Sequence, residues 1–260
     1  IVWQSAAPMA AATPEAANSR ILSMAEEFRA AHPGMAKCLF GVGLAAPGPF
    51  ETGSQTSSGT DATTFSDFGS PENLAQLQSA IGLPVVLQND ASAAALGEHV
   101  YGIGRSFNSF AFIQFGMGLG AGFVLNGALY PGATKNAGEI GHVVIDPTGP
   151  ACSCGNTGCL ERYLSLNALC ERLGLEPTEP GSVGRIEALF AEGDPAVLGW
   201  IADVAPLMPQ MINMIEMMLD PEALILGCII RPDFLQALLD SASPLPRRLD
   251  ASLEEDRIRI

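Results

Sequence analysis

Glu139-Ile140-Gly141-His142, followed nine residues later by Cys152-Ser153-Cys154-Gly155-Asn156-Thr157-Gly158-Cys159-Leu160-Glu161, is the stretch whose reading decides the fold. His142, Cys152, Cys154 and Cys159 place three thiols and one imidazole within eighteen residues. That donor set fills a closed tetrahedral zinc site and leaves no position for a reactive water, so the expected metal is structural. Gly155 and Gly158 suit such a knuckle, because a chain turning tightly around a metal needs residues that tolerate positive φ and close backbone approach. Three unrelated thiols beside a surface histidine is the alternative, but Cys-x-Cys with a third Cys after four intervening residues and glycines between seldom arises by chance.

Working outward, 260 residues with 48% hydrophobic content can bury one large or two medium cores. No run of about 18 apolar residues occurs, and Ile1-Val2-Trp3-Gln4-Ser5-Ala6-Ala7-Pro8 lacks the basic flank of a secretory signal. A cytoplasmic location without membrane contact is expected. Of six cysteines, three belong to the knuckle, and Cys38, Cys170 and Cys228 lie among apolar neighbours and read as reduced core thiols. A net charge of −15 without clustered Lys and Arg argues against nucleic acid binding directly to this stretch.

Apolar runs alternate with amphipathic segments, the pattern of an α/β fold. Strands are expected at Cys38 to Ala45, Leu83 to Gln88, Ser109 to Phe115, Gly120 to Leu125 and Ala223 to Leu226. Asn126-Gly127 is the strongest short hairpin signal, so antiparallel pairing there makes the sheet mixed. Helices are expected at Pro14 to Ala31, Pro71 to Ile81, Ala91 to Val100, Glu161 to Leu173 and Pro195 to Leu219, the last interrupted by Pro206 and Pro209. The Met-rich run Met208 to Met218 reads as core or subunit packing, which favours a homodimer or higher oligomer. Phe50 to Phe68, rich in Gly, Ser and Thr, reads as a long loop over a cleft or as an insertion. Glycines at Gly102 and Gly104 mark a hinge between an N-terminal lobe over 1–104 and a C-terminal lobe over 105–260.

Two further segments carry chemistry. In Leu87-Gln88-Asn89-Asp90-Ala91 a strand ends in a polar pair before an Ala-rich helix. Ligands gather at the carboxyl ends of strands in open α/β sheets, so Asn89 and Asp90 sit where a substrate is held. Asp90 caps the helix in one reading and accepts a proton from an attacking hydroxyl in another. In Phe115-Gly116-Met117-Gly118-Leu119-Gly120 a Gly-rich turn joins two strands. It reads either as a backbone cradle for phosphate or as a tight hairpin.

On these motifs the chain resembles the ROK family of repressors, open reading frames and kinases. The family pattern Glu-x-Gly-His, then Cys-x-Cys-Gly-x-x-Gly-Cys-x-Glu, is matched from Glu139 to Glu161, and Val42-Gly43-Leu44-Ala45-Ala46-Pro47-Gly48-Pro49 resembles the family's Pro-Gly-Pro sugar-side loop. The resemblance implies the two-lobed, actin-like and hexokinase-like ATPase fold. It implies that Asn89, Asp90, Glu139, His142 and Glu161, with Gly48, hold a sugar. His142, Cys152, Cys154 and Cys159 would hold zinc, with the second imidazole nitrogen left for the sugar. In a family kinase Asp90 is the general base, and ATP and Mg²⁺ meet Gly116, Gly118, Gly120 and Gly227.

Departures from that pattern lie on the nucleotide side. No Asp-x-Gly-x-Thr loop occurs between Ile1 and Phe40, Met117 stands where a threonine is usual, and Cys228 follows Gly227 where a second glycine is usual. Arg257-Ile258-Arg259-Ile260 stops where relatives continue into a helix, so truncation at both ends is expected. The favoured expectation is the sugar-sensing region of a ROK-type transcriptional regulator, meeting DNA through a winged helix-turn-helix not present in this sequence. The alternatives are an ATP-dependent kinase of a hexose or N-acyl-hexosamine, and a zinc-stabilised binding protein with neither partner.

Overall fold

The computed structural model describes residues 3–5, 13–48, 68–179, 181–247 and 257–260. The chain divides into two compact units, Ile1–Asp90 and Ala91–Ile260. Of the loop expected at Phe50 to Phe68, residues 50–67 lie outside the described residues.

In the first unit, helix α1 (Pro14–Ala31) begins where Thr13 Oγ1 accepts the Ala16 amide at 3.3 Å and a proline occupies the first turn. After the short α2 (Pro33–Ala36) comes strand β1 (Val42–Ala46), then helix α3 (Pro71–Ile81) and strand β2 (Val85–Asn89). Ser70 caps α3, and Gly82 at φ 71° ends it in the left-handed conformation that glycine adopts freely. β1 and β2 pair in parallel from Val42 with Val85 to Ala46 with Asn89, so both carboxyl ends lie at one edge. Asn18 donates to Asn73 Oδ1 at 2.6 Å and Arg29 to the Ile81 carbonyl at 2.6 Å, which tie α1 to α3. β1 starts later than expected, because residues 37–41 turn out of α2 with the Cys38 amide on the Met35 carbonyl. Cys38 is thereby exposed and is not a core thiol.

The second unit is built on a five-stranded mixed sheet, ordered β5-β4-β3-β6-β7. Its strands are β3 (Phe110–Phe115), β4 (Leu119–Leu125), β5 (Ala128–Leu129), β6 (Ala223–Cys228) and β7 (Ile258–Arg259). β3 pairs antiparallel with β4 and parallel with β6, as a mixed sheet requires. Asn126 at φ 52° and Gly127 at φ 75° supply the two left-handed positions of the β4–β5 hairpin. Helix α4 (Asp90–Tyr101) lies on β4 because both surfaces are small: a Cβ on Gly122 would stand 2.5 Å from Ala95 Cβ and 2.6 Å from the Ala91 carbonyl.

The expected helix at Glu161 to Leu173 divides into a 3-10 turn (Leu160–Arg162) and helix α5 (Leu166–Leu173). Ser165 forces the break, since its Oγ accepts the Ala168 amide at 3.2 Å and caps the new helix. The expected helix at Pro195 to Leu219 likewise divides into α7 (Pro195–Val204) and α8 (Leu207–Leu219). Pro206 stands at the cap of α8, and Pro209 falls in its first turn, where a missing N–H costs little. Met208 and Met211 are buried in the core while Met217 and Met218 face outward. Helices α6 (Ser182–Ala191) and α9 (Pro232–Ser241) were not expected; Gly184 weakens the helical signal in the first. Ile186, Trp200, Ile212, Leu226 and Phe234 meet in one core between these helices and the sheet. A buried pair, Arg257 Nε to Glu216 Oε1 at 3.4 Å, fixes α8 to the segment entering β7. No described helix is long and apolar enough to cross a membrane.

Candidate metal and ligand site

Within the second unit, the donors of His142, Cys152, Cys154 and Cys159 all lie within 4.8 Å of one another. His142 Nδ1 stands 3.5 Å from Cys152 Sγ, and Cys154 Sγ stands 3.6 Å from Cys159 Sγ. Around a tetrahedral ion with bonds of about 2.0–2.3 Å, neighbouring donors are about 3.5–3.8 Å apart, so these two pairs already stand at the spacing of metal ligands and the whole cluster is close enough to hold an ion. Burial pushes the Cys159 thiol up to about 12, reinforced by the neighbouring Cys154 and Cys152. Burial acts the same way on Cys154, but the Asn156 amide and the neighbouring thiols outweigh it and hold that thiol below its usual value. Three thiols so close compete for one negative charge, and a cation at their centre removes the competition.

The strap carrying these donors is folded by its own backbone. The Cys152 amide donates to the Asn156 carbonyl at 2.8 Å, the Gly155 amide to Cys152 at 3.0 Å and the Gly158 amide to Pro150 at 2.7 Å. Gly155 and Gly158 adopt φ of 91° and 66°, as the tight turn required. Gly158 is doubly constrained, since a Cβ there would strike the Asp146 carbonyl. Asp146 closes the strap from the other side: its Oδ1 accepts the Thr148 hydroxyl at 2.7 Å and its Oδ2 the Tyr163 hydroxyl at 3.2 Å. The Thr148 hydroxyl and amide hold the Asp146 carboxyl below the usual carboxylate range.

The ligand segment grows out of this strap. Glu139 Oε2 lies 3.7 Å from His142 Nε2, so the imidazole presents Nδ1 to the thiols and Nε2 to a carboxylate. With a cation on Nδ1 the ring proton resides on Nε2. Residues 138–142 are seated on β4: the Ala121 amide donates to Gly138 at 2.8 Å, and Gly138 and Gly141 have no room for a Cβ against the carbonyls of Ala121 and Leu119. Glu161, in the 3-10 turn after Cys159, reaches the Gly-rich turn, where its Oε2 accepts the Leu119 amide at 2.9 Å. A Cβ on Gly118 would lie 2.6 Å from that oxygen.

The Gly-rich turn is largely satisfied from within. The Gly116 amide donates to the Gly118 carbonyl at 3.0 Å, and the carbonyls of Gly116 and Met117 accept the first amides of α5, Leu166 at 2.9 Å and Asn167 at 3.2 Å. The Met117 side chain packs on the core. Gly120 lies in β4 with Ala91 Cβ 3.3 Å from its missing side chain. Gly227, in β6, lies under the Phe112 ring, and Cys228 Sγ donates to the Ile230 carbonyl at 2.8 Å.

In the first unit, Asn89 ends β2 opposite Ala46, Asp90 opens α4, and Gly48 stands just beyond β1 at the same strand edge. All three are partly buried. Structure thus brings Glu139, His142, Glu161 and the three cysteines together in one unit, and Gly48, Asn89 and Asp90 at one edge of the other. Sequence reading missed the Leu119 amide that anchors Glu161, for which side chains give no signal. It also missed Asp146, whose Asp-Pro-Thr turn chemistry was there to be read.

A family model described as the ROK family matches residues 6–241. The "Xylose repressor" of Bacillus spizizenii is 32% identical over 161 residues, which are 62% of this chain and 41% of that protein. The "Glucokinase" of Streptomyces coelicolor is 38% identical over 123 residues, 46% of this chain and 37% of that protein. Matches to these curated relatives therefore span well under half of their length. Among solved structures, the ROK hexokinase from Thermus thermophilus superposes with a TM-score of 0.67 at 27% identity, covering 95% of this chain and 85% of that one.

Proposed function

Because this chain belongs to the ROK family and has the α/β, hexokinase-like actin fold of its members, we propose that it is the sugar-binding, effector-sensing part of a ROK-type transcriptional regulator. Asn89, Asp90, Glu139, His142 and Glu161, with Gly48, hold the sugar in this reading. Fixed carboxylates and an imidazole N–H suit a polyol, whose hydroxyls both donate and accept and whose loss leaves buried groups unpaired. The metal is zinc bound by His142, Cys152, Cys154 and Cys159, and its role is to hold Glu139 and Glu161 on one rigid strap. DNA binding belongs to a winged helix-turn-helix outside this sequence, reached by population shift between lobes and through a homodimer in the cytoplasm.

The observation that carries the regulator over the kinase is the Gly-rich turn. Met117 is partly buried and packs against the core, and the Gly116 and Leu119 amides are engaged by Gly118 and Glu161, which leaves the turn poorly equipped for phosphate. A second reading has its own support. Asn89-Asp90 stands at a strand's carboxyl end, where the base of an ATP-dependent sugar kinase acting with Mg²⁺ belongs, and a glucokinase is among the relatives.

Calorimetric titration of the full-length protein with xylose, glucose, N-acetylglucosamine and ATP–Mg²⁺, followed by a coupled ADP assay, separates the two. Sugar binding without nucleotide binding or ADP release is the expected outcome. Sugar-dependent ADP release would replace the regulator by the kinase.

A further inference from the structure

A concavity of about 490 Å³ lies in the second unit, next to the ligand segment. That volume falls in the range of small-molecule sites. Its floor is apolar, formed by Trp200 and Val204 of α7, both almost fully buried, with Leu207 of α8. Its polar groups are Arg162 and Tyr163, which directly follow Glu161, with Arg172, Asp203, Asp146 and Gln210.

Charge decides what such a place can hold. Arg162 is shared with Glu171 at 2.8 and 2.9 Å, and Arg172 with Asp203 at 2.5 Å, so both cations are already neutralised. An anion would face the carboxylates of Asp146 and Asp203, and a cation the two guanidinium groups. What fits is a neutral molecule carrying both donors and acceptors over an apolar body. Arg162 Nε is buried without a hydrogen-bond partner, and a buried donor left so is costly unless an oxygen reaches it. Gly199 has the Arg172 guanidinium 3.2 Å from where its Cβ would be, so helix α7 leaves space for that side chain to lie along the wall.

We propose that this cavity is a second ligand site, distinct from the one at Glu139, His142 and Glu161, and that it takes a neutral polyhydroxylated molecule of the sugar class. Occupancy is transmitted to the ligand segment through the chain itself. The Arg162 amide donates to the Cys159 carbonyl at 2.9 Å, and the Tyr163 hydroxyl donates to Asp146 across the position where Gly149 lacks a side chain. A ligand that draws on Arg162 and Tyr163 therefore acts on the strap holding Cys159 and Glu161. This coupling rests on the sugar-binding reading above; the site itself does not.

The chain contains two tryptophans, Trp3 and Trp200, so a Trp3→Phe protein reports on the cavity floor alone. Its emission is titrated with glucose, xylose, N-acetylglucosamine and, as an anion control, sulfate, while calorimetry with the same sugars follows total binding. At least one neutral sugar should change Trp200 emission saturably and sulfate should not. Arg172→Ala and Gln210→Ala, both at exposed positions, should weaken that response about tenfold or more, and Glu139→Gln should leave it in place while removing the other binding event. With both sites filled, each sugar should alter the affinity of the other by about fivefold or more. A response lost in Glu139→Gln and kept in Arg172→Ala would mean one site seen from a distance, and would overturn the proposal. So would silence with all three sugars, or saturation by sulfate alone. A Trp200 response without any Glu139-dependent binding would instead sink the first reading and leave the cavity standing.

Discussion

Two glycine-rich turns meet at Glu161, the strap from Cys152 to Cys159 and the turn from Gly116 to Gly120, and they use glycine for different reasons. In the strap, Gly155 and Gly158 are held at positive φ, and its three thiols converge with the His142 imidazole. In the turn, Gly116, Gly118 and Gly120 keep ordinary φ; Gly118 and Gly120 are needed because Glu161 and Ala91 come close, and the groups on offer are backbone amides. A metal site is written in side chains of particular chemistry. An anion cradle is written in backbone direction, which any sequence of small residues can share. The strap, with His142, offers four donors to one ion, whereas the turn has spent two amides and the carbonyls of Gly116, Met117 and Gly118 on the protein itself.

The comparison breaks most visibly if the strap is not held by metal. Cys159→Ser, at a fully buried donor, should abolish metal content and lower stability by more than about 4 kcal/mol, the range reserved for loss of a metal or a core. A variant with unchanged metal content and melting temperature would show that the strap folds without an ion. Gly158→Ala should cost about 2–4 kcal/mol, because strain at positive φ adds to a collision with the Asp146 carbonyl. Gly155→Ala, with open space around it, should cost about 1–2 kcal/mol; equal losses in urea unfolding would mean that the collision is relieved elsewhere.

On the other side of the comparison, Gly118→Ala forces the Glu161 carboxylate off the Leu119 amide and should weaken sugar affinity about tenfold with a stability loss near 1 kcal/mol. Calorimetry reads both the affinity and its absence. Met117→Thr sharpens the contrast: losing core contacts should cost about 1 kcal/mol, and nucleotide binding should stay below detection because the amides remain engaged. Acquired ATP affinity would put the whole deficiency in one missing hydroxyl.

The smallest expected effect is electrostatic. Asp146 has a depressed carboxyl in the folded chain, so its stabilising contribution is full above the ordinary carboxylate range and is lost as pH falls through the folded value. Thr148→Val removes the hydroxyl that is the chief cause, and should raise the Asp146 titration midpoint toward that of a free aspartate. An unmoved midpoint in a carboxyl NMR titration would assign the depression to the backbone amide.

What was legible in the sequence follows the same division. Helices α1 and α3 ran from proline to their last apolar residue as expected, because their caps and periodicity are local. The mixed sheet was legible from Asn126-Gly127. The candidate metal donors were legible because closely spaced thiols with an imidazole are the side chains that a closed tetrahedral site draws on. The splitting of the segment at Ser165 was not, since a serine reads equally as surface helix until Gly116 and Met117 claim the amides beside it. Nor was the exposure of Cys38, which hangs on where β1 begins to pair with β2.

By itself, then, the sequence determined the fold class, the well-capped helices α1 and α3, the candidate metal donors and the family, each a matter of local pattern or side-chain chemistry. Only tertiary structure decided that Glu161 holds the Leu119 amide, that the Gly-rich turn is satisfied in part from within, and that Arg162 and Trp200 border one concavity. Those facts concern backbone groups and surfaces up to dozens of residues apart in the chain. No residue type encodes them, and they exist only once the packing has chosen which groups meet.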